Sequence, residues 1–254
     1  TIIGQWLKQS PSKRDDIVLF TKVGLDMGIP GHQGLSKRWI IQGVEDSLKR
    51  LNTDYIDLYF AHWPDENTPY EETLAAFDQL KQQGKIRAYG TSNLDATQLQ
   101  QSIEAAKKID VPHYQVLQPE YNLYDRQGFE EQLKPICLEH NIGVVSYYSL
   151  ASGFLSGKYR DLEQIKGSKR ADSLSKYFTP RGERILKALD LVAERHNAKL
   201  ADVALAWVLT REGITAPIAS ATTVEQIESF SKALALTLST EDLNILEVDS
   251  GYTD

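Results

Sequence analysis

An α/β fold of the (β/α)8 TIM-barrel kind, with about six of the eight β-α units in the chain, is predicted by three observations. Six apolar runs of strand length alternate with amphipathic stretches of helix length, the pattern of repeated β-α units and a parallel sheet. The runs are apolar on both faces, as strands are when helices cover one side and side chains of other strands fill the other. Nothing in the 254 residues reads as a linker, so residues 1–254 are expected to form one domain.

The first strand is expected at Ile17 to Lys22, where four apolar residues run in succession. Helix Lys37 to Leu51 follows, with Ile40, Ile41, Val44, Leu48 and Leu51 on one face and Ser36 as N-cap. Strand Tyr55 to His62 comes next, then helix Tyr70 to Gln83, opened by Thr68-Pro69 and stopped by Gly84. Strand Ile86 to Ser92 leads through Asp95, an N-cap, into helix Ala96 to Lys108. Strand Val116 to Tyr121, helix Gln127 to His140 with Gly143 as its stop, and strand Gly143 to Tyr147 continue the pattern. A long helical stretch from Pro180 to Arg211 precedes a last strand, Ala216 to Ser220, and one more helix.

The chain begins on Thr1 and its one methionine is Met27. Six units are two short of a closed barrel, so about two strands are expected upstream of Thr1. Two connections are long, Gly24 to Ser36 and Leu150 to Pro180, and loops of that length in a compact domain are usually functional.

Composition narrows the function. With 41% hydrophobic and 25% charged residues the chain reads as globular, and no apolar run approaches the roughly 20 residues that span a bilayer. A net charge of -7 argues against a broad nucleic-acid surface and leaves room for one anion in a local pocket. Cys137, the only cysteine, lies in a helical stretch and reads as a buried structural thiol; no internal disulfide is possible. A cytoplasmic location is expected, as no signal-peptide pattern stands against it.

Chemistry is expected where strands end. Lys22 and His62 are polar residues at the tips of neighbouring apolar runs, and in a barrel of β-α units those tips share one mouth. Alone, Lys22 reads as a solvated lysine and His62 as a hydrogen-bonded turn histidine; their common position suggests proton or hydride chemistry on a polarised oxygen. Ser92 with Asn93, and Gln118, put hydroxyl and amide groups at two more tips, suited to a carboxamide or to loop capping. Tyr147 supplies an aromatic ring, and the hydroxyls and glycines that follow it, with Lys158, suit an anion. After the last strand, Thr222 or Thr223 either caps the next helix or helps it hold a phosphate.

These segments resemble, in order and over essentially the whole chain, the signatures of the aldo-keto reductases: "VLFTKVG", "DLYFAHWPD", "GKIRAYGTSNL", "LQPEYNLYDR", "YYSLASGFLSGKYR" and "PIASATTVEQIES". The resemblance implies a nicotinamide cofactor, usually NADPH with NADH possible, extended across the barrel mouth. Hydride would pass to the carbonyl carbon of an aldehyde or ketone. Lys22 and His62 match two of the family's four catalytic residues. Ser92, Asn93 and Gln118 would hold the carboxamide and Tyr147 would stack on the nicotinamide. Tyr148, Leu150, Ser152, Gly153, Leu155 and Lys158 would line the diphosphate, and Ser220, Thr222, Thr223 and Gln226 the adenosine end. Trp63 would wall the substrate pocket.

The family's aspartate and tyrosine would fall before Thr1, and none of the 12 tyrosines matches that acid. Many members also carry an arginine where this chain has Thr223; Ser220, Thr222 or a basic residue of the Lys166 to Arg170 loop could hold a 2'-phosphate instead. Two other classes fit the fold: a cofactor-binding regulatory or partner-binding protein with little turnover, and a hydrolase using Glu120 and Asp65.

Overall fold

The computed structural model describes residues 1–168 and 170–252. Lys169, one of the basic residues expected near a 2'-phosphate, lies outside the described residues. The chain packs as two compact units, one of Thr1–Gln118 with Ile136–Ile142, the other of Pro119–Pro135 with the residues from Gly143 on. Every strand pairing within each unit is parallel.

In the first unit β1 (Phe20–Val23), β2 (Ile56–Ala61), β3 (Ile86–Ser92) and β4 (Val116–Gln118) lie side by side in chain order. Helices α1 (Ile2–Gln9), α2 (Lys37–Leu51), α3 (Tyr70–Gln82) and α4 (Ala96–Lys108) accompany them. Caps explain why α2 and α4 have the expected limits. The Ser36 hydroxyl accepts the Trp39 N–H, and Asp95 forms a reciprocal capping box with Gln98. Asn52 and Gly84, both with positive φ, end α2 and α3.

The register sorts side chains onto two faces. Lys22 pairs with Phe60, Phe60 with Gly90, and Gly90 with Val116, so these four form one row. Side chains two residues apart share a face, so His62, Ser92 and Gln118 form the next row toward the strand ends. Phe20 and Phe60 touch on this face with ring centroids 5.9 Å apart. Gly90 is required here, because a Cβ would stand 2.7 Å from the Phe60 ring and 2.6 Å from the Val116 carbonyl. On the other face Tyr59 and Tyr89 pack against Phe77 of α3, at 5.6 and 5.5 Å between centroids.

At the opposite end of the strands Asp57 accepts from Arg14 and Arg87 at 2.8 Å each and from the Leu19 N–H at 2.9 Å. Burial pushes its pKa up, but the Leu19 amide and Arg14 outweigh that and hold the carboxylate below its ordinary value.

The second unit contains β5 (Gly143–Ser146) and β6 (Ile214–Pro217), paired with a bulge between Val144 and Val145. Helices α5 (Lys134–Glu139), α6 (Ala171–Ser175), α7 (Pro180–His196), α8 (Leu200–Leu209), α9 (Val224–Ala235) and α10 (Thr240–Asp249) complete the chain, α5 straddling the division between the units.

Several boundaries differ from the sequence expectation. The first strand starts at Phe20 rather than Ile17. The strand expected to run from Val116 to Tyr121 ends at Gln118, since Pro119 has no N–H to donate; only an isolated bridge from Glu120 to Tyr147 follows. The last strand ends at Pro217, three residues before the expected Ser220. Helix Gln127 to His140 begins as a π-helical turn over Phe129–Leu133. It ends at left-handed Asn141 (φ +53) instead of at Gly143, which is the first residue of β5. The stretch Pro180 to Arg211 divides at Asn197, whose φ of +49 lets an asparagine do what glycine does elsewhere. Helix α10, opened by the Ser239 and Asp242 capping box, was not expected.

Candidate active site at the strand ends

In the first unit the ladder itself carries the candidate groups. Lys22 is half-buried on β1, and burial lowers its pKa. Among the described residues no carboxylate lies within ion-pair distance of it. His62 is the first residue beyond β2; its N–H extends the ladder to the Val23 carbonyl at 2.8 Å. Its imidazole pKa is lowered, by burial first and then by the charge of Lys22. The two side chains therefore act within one field, and the imidazole is neutral at pH 7.

The His62 backbone is fixed from the other side as well. Asn93, in the left-handed conformation at φ +62, donates from Nδ2 to the His62 carbonyl at 2.8 Å. Ser92 is buried and donates to the Gln118 carbonyl at 2.8 Å, which locks the ends of β3 and β4 and leaves the hydroxyl oxygen as an acceptor. Trp63 stacks loosely on the His62 ring, at 6.3 Å and 29°, and is half exposed. The structure thus brings Lys22, His62, Trp63, Ser92, Asn93 and Gln118 to one end of one sheet.

The second unit presents its candidates on loops. Tyr147 follows β5, with its N–H bound to the Pro119 carbonyl at 2.9 Å and its ring edge-on to Tyr148 at 5.2 Å. Burial, then the Glu120 carboxylate, pushes the Tyr147 phenol up to about 12, so it stays protonated at neutral pH. From Tyr148 the chain turns through positive φ at Tyr148, Ala151, Ser152, Gly153 and Gly157. Gly153 reaches φ +101, and a Cβ on it would stand 3.4 Å from the Arg170 guanidinium. Arg170 donates to the Ser152 carbonyl at 3.1 Å.

Of the remaining diphosphate candidates, Leu150 begins this loop and Lys158 is exposed, its ammonium 5.1 Å from the Tyr159 ring. Leu155 is fully buried, so its side chain serves the core and its backbone alone could meet a ligand.

At the adenosine end, Ser220 is exposed beyond β6. The Gln226 side chain accepts the Thr222 N–H at 2.7 Å and the Thr222 hydroxyl at 3.2 Å. Thr223 stands at the N-cap of α9 without capping it through its side chain. Its hydroxyl instead bonds the Glu225 carboxylate, which also accepts its own N–H in the first turn of α9; the N–H first and then the hydroxyl lower the Glu225 pKa.

The hydrolase candidates are committed elsewhere. Asp65 accepts three hydrogen bonds, from Leu35, Asn67 and Thr68. Glu120 is paired with Lys176 at 3.5 Å, with its pKa raised by burial and by Asp125. Cys137 is 1% exposed, and burial pushes its thiol up to about 12. Among the described residues there is no cluster of metal ligands, and no helix is long and apolar enough to cross a membrane. Sequence reasoning pointed only to the Lys166 to Arg170 loop; that Arg170 meets Ser152 depends on a fold-back across 18 residues that carries no local signal.

Comparison with known proteins bears on this arrangement. The sequence matches the profile of the Aldo/keto reductase family over residues 1–248. It is 34% identical over 243 residues to a probable voltage-gated potassium channel subunit beta of Arabidopsis thaliana, covering 92% of this chain and 73% of that protein. It is 33% identical over 246 residues to the aldo-keto reductase YhdN of Bacillus subtilis, covering 95% and 72%. An NADH-specific methylglyoxal reductase of Escherichia coli is 31% identical over 265 residues, covering 96% and 77%.

Proposed function

The chain belongs to the Aldo/keto reductase family, a (β/α)8 barrel family, and from that premise we propose that Lys22 and His62 carry out its carbonyl chemistry with NADPH as reductant. Proteins of this family reduce aldehydes or ketones to alcohols with a nicotinamide cofactor, which supplies the hydride. The observation that carries the residue assignment is the position of Lys22 and His62 at the ends of two paired strands, where the His62 N–H bonds the Val23 carbonyl. As hydride reaches the carbon, negative charge grows on the carbonyl oxygen. Neutral His62 donates an N–H to that oxygen, and the Lys22 ammonium stabilises the charge in a partly desolvated setting. The Lys22 charge would also acidify any phenol placed beside it; Tyr147, with its raised pKa, is not that acid.

The residues present fit a dinucleotide. Ser92, Asn93 and Gln118 supply the donors and acceptors a carboxamide needs, and Tyr147 a ring to stack on. The loop from Tyr148 to Lys158 leaves open the space a Cβ on Gly153 would take, beside the Arg170 cation. Ser220, Thr222, Thr223 and Gln226 stand around the start of α9 for the adenosine end. Arg170 and Lys158 favour NADPH over NADH, since two exposed cations suit the additional phosphate better than the neutral Thr223 alone. A cytoplasmic location is supported by the single, buried Cys137.

The test is consumption of NADPH and of NADH with a panel of aldehydes, together with Lys22→Met. Reduction that Lys22→Met abolishes with cofactor binding kept supports the reading; full activity of that variant would remove lysine from the mechanism. A second reading, a cofactor-binding partner protein with little turnover, is favoured by the relative named as a channel subunit. Tight nucleotide binding without turnover of any aldehyde would establish it.

A further inference from the structure

Asp65 stands three residues beyond His62, and its carboxylate takes three donors. Oδ2 accepts the Leu35 N–H at 2.8 Å and the Thr68 hydroxyl at 2.7 Å, and Oδ1 accepts the Asn67 N–H at 3.0 Å. Asn67 and Thr68 belong to its own turn. Leu35 does not: it ends the long connection that leaves the strand of Lys22.

That connection is pinched at its neck. The Gly34 N–H donates to the Gly24 carbonyl at 3.0 Å, so residues 25–33 form a lobe with joined ends. Gly34 has φ +74, and a Cβ on it would stand 2.6 Å from Asp65 Oδ2, so the carboxylate lies hard against the neck. The next peptide is held too, since the Thr73 hydroxyl donates to the Leu35 carbonyl at 3.1 Å. The lobe carries Leu25, Met27 and Ile29, which are 48%, 61% and 53% exposed, and Trp63 beside His62 is 50% exposed.

Burial works to raise the Asp65 pKa, but its three donors hold it below the ordinary carboxylate value, so the contact stays ionised through the neutral range. An amide in its place keeps an acceptor for one side only, because its NH2 would face a donor. The carboxylate is therefore specifically suited to tie the neck to the turn.

We propose that Asp65 is a positioning residue for the carbonyl substrate. It fixes the lobe of residues 25–33 to the turn bearing His62 and Trp63. The apolar side chains of the lobe then hold the body of an apolar aldehyde while Lys22 and His62 act on its oxygen. This role rests on the reductase reading above.

The experiment compares Asp65→Ala and Asp65→Asn with the unaltered protein, using hexanal and glycolaldehyde as substrates. Asp65→Ala is expected to raise KM for hexanal roughly tenfold, with kcat within about twofold and with KM for glycolaldehyde and nucleotide affinity unchanged. Asp65→Asn, which keeps the shape, is expected to fall between. Chymotryptic cleavage at Leu25 or Met27 should be roughly tenfold faster in Asp65→Ala, a readout that needs no turnover. Equal losses for both aldehydes, a fall in kcat or in nucleotide affinity, or an unchanged cleavage rate would overturn the assignment. Should the unaltered protein reduce neither aldehyde with either nicotinamide, the reductase reading falls and this role with it; the cleavage rates still decide whether the tie exists.

Discussion

Lys22, Ser92 and Gln118 ride on a hydrogen-bonded ladder, whereas Ser152, Gly153 and Thr222 ride on loops and a helix start. On the ladder, register alone decides which side chains share a face, and neighbours are held by bonds such as the 2.8 Å contact from Ser92 to Gln118. In the loop, placement depends on positive φ at five of the residues from Tyr148 to Gly157 and on contacts such as Arg170 to Ser152. A change on the ladder should delete a chemical group and leave its surroundings alone. A change in the loop should disturb the binding surface while leaving chemistry intact.

The sharpest way to break that contrast is Lys22→Met. Reduction should fall on the order of a thousandfold, with nucleotide affinity within about twofold, as titration of intrinsic fluorescence with nucleotide would show. A parallel loss of affinity would mean that the ladder does not insulate chemistry from binding. His62→Ala comes next, with rates down roughly a hundredfold across several aldehydes in single-turnover kinetics, because one donor to the developing oxyanion is removed.

The loop should respond differently. Gly153→Val puts a branched side chain at φ +101 and against Arg170, and nucleotide affinity should weaken about tenfold with kcat nearly unchanged. Arg170→Ala should lower affinity about fivefold, more for NADPH than for NADH, an outcome that isothermal titration of both nucleotides can measure.

The smallest effect is one of pH. A histidine whose pKa is lowered on folding binds fewer protons in the native than in the unfolded chain between its folded pKa and the ordinary 6.5. Stability from this group therefore rises with pH across that window and is lost on acidification. Reduction rates should stay level as pH falls past 6.5 and decline only once His62 is charged beside Lys22, a limb that His62→Gln should remove from the rate profile.

The same contrast governs what the sequence makes legible. Helices α2 and α4 and strand β3 fall where expected, because apolar periodicity and the Ser36 and Asp95 caps act within a few residues. Lys22, His62 and Ser92 are legible for the same reason: each ends a run of strand length, whereas Gln118 is expected within a strand that Pro119 cuts short. The division of α7 from α8 is not, since Asn197 competes with a helical pattern that continues on both sides. Nor are the contacts of Arg170 and Asp65, whose partners are 18 and 30 residues away and are chosen by the fold. Leu155 shows the converse limit. Its place in a motif says nothing about which way its side chain points, and that direction is inward.

The buried sulfur of Cys137 acquires significance in an enzyme that handles aldehydes. Unsaturated and dicarbonyl aldehydes are electrophiles that alkylate accessible thiolates. With 1% exposure and a thiol pushed up to about 12, the one sulfhydryl of this chain is both protonated and out of reach at neutral pH. Within these 254 residues, then, aldehydes meet no accessible thiolate.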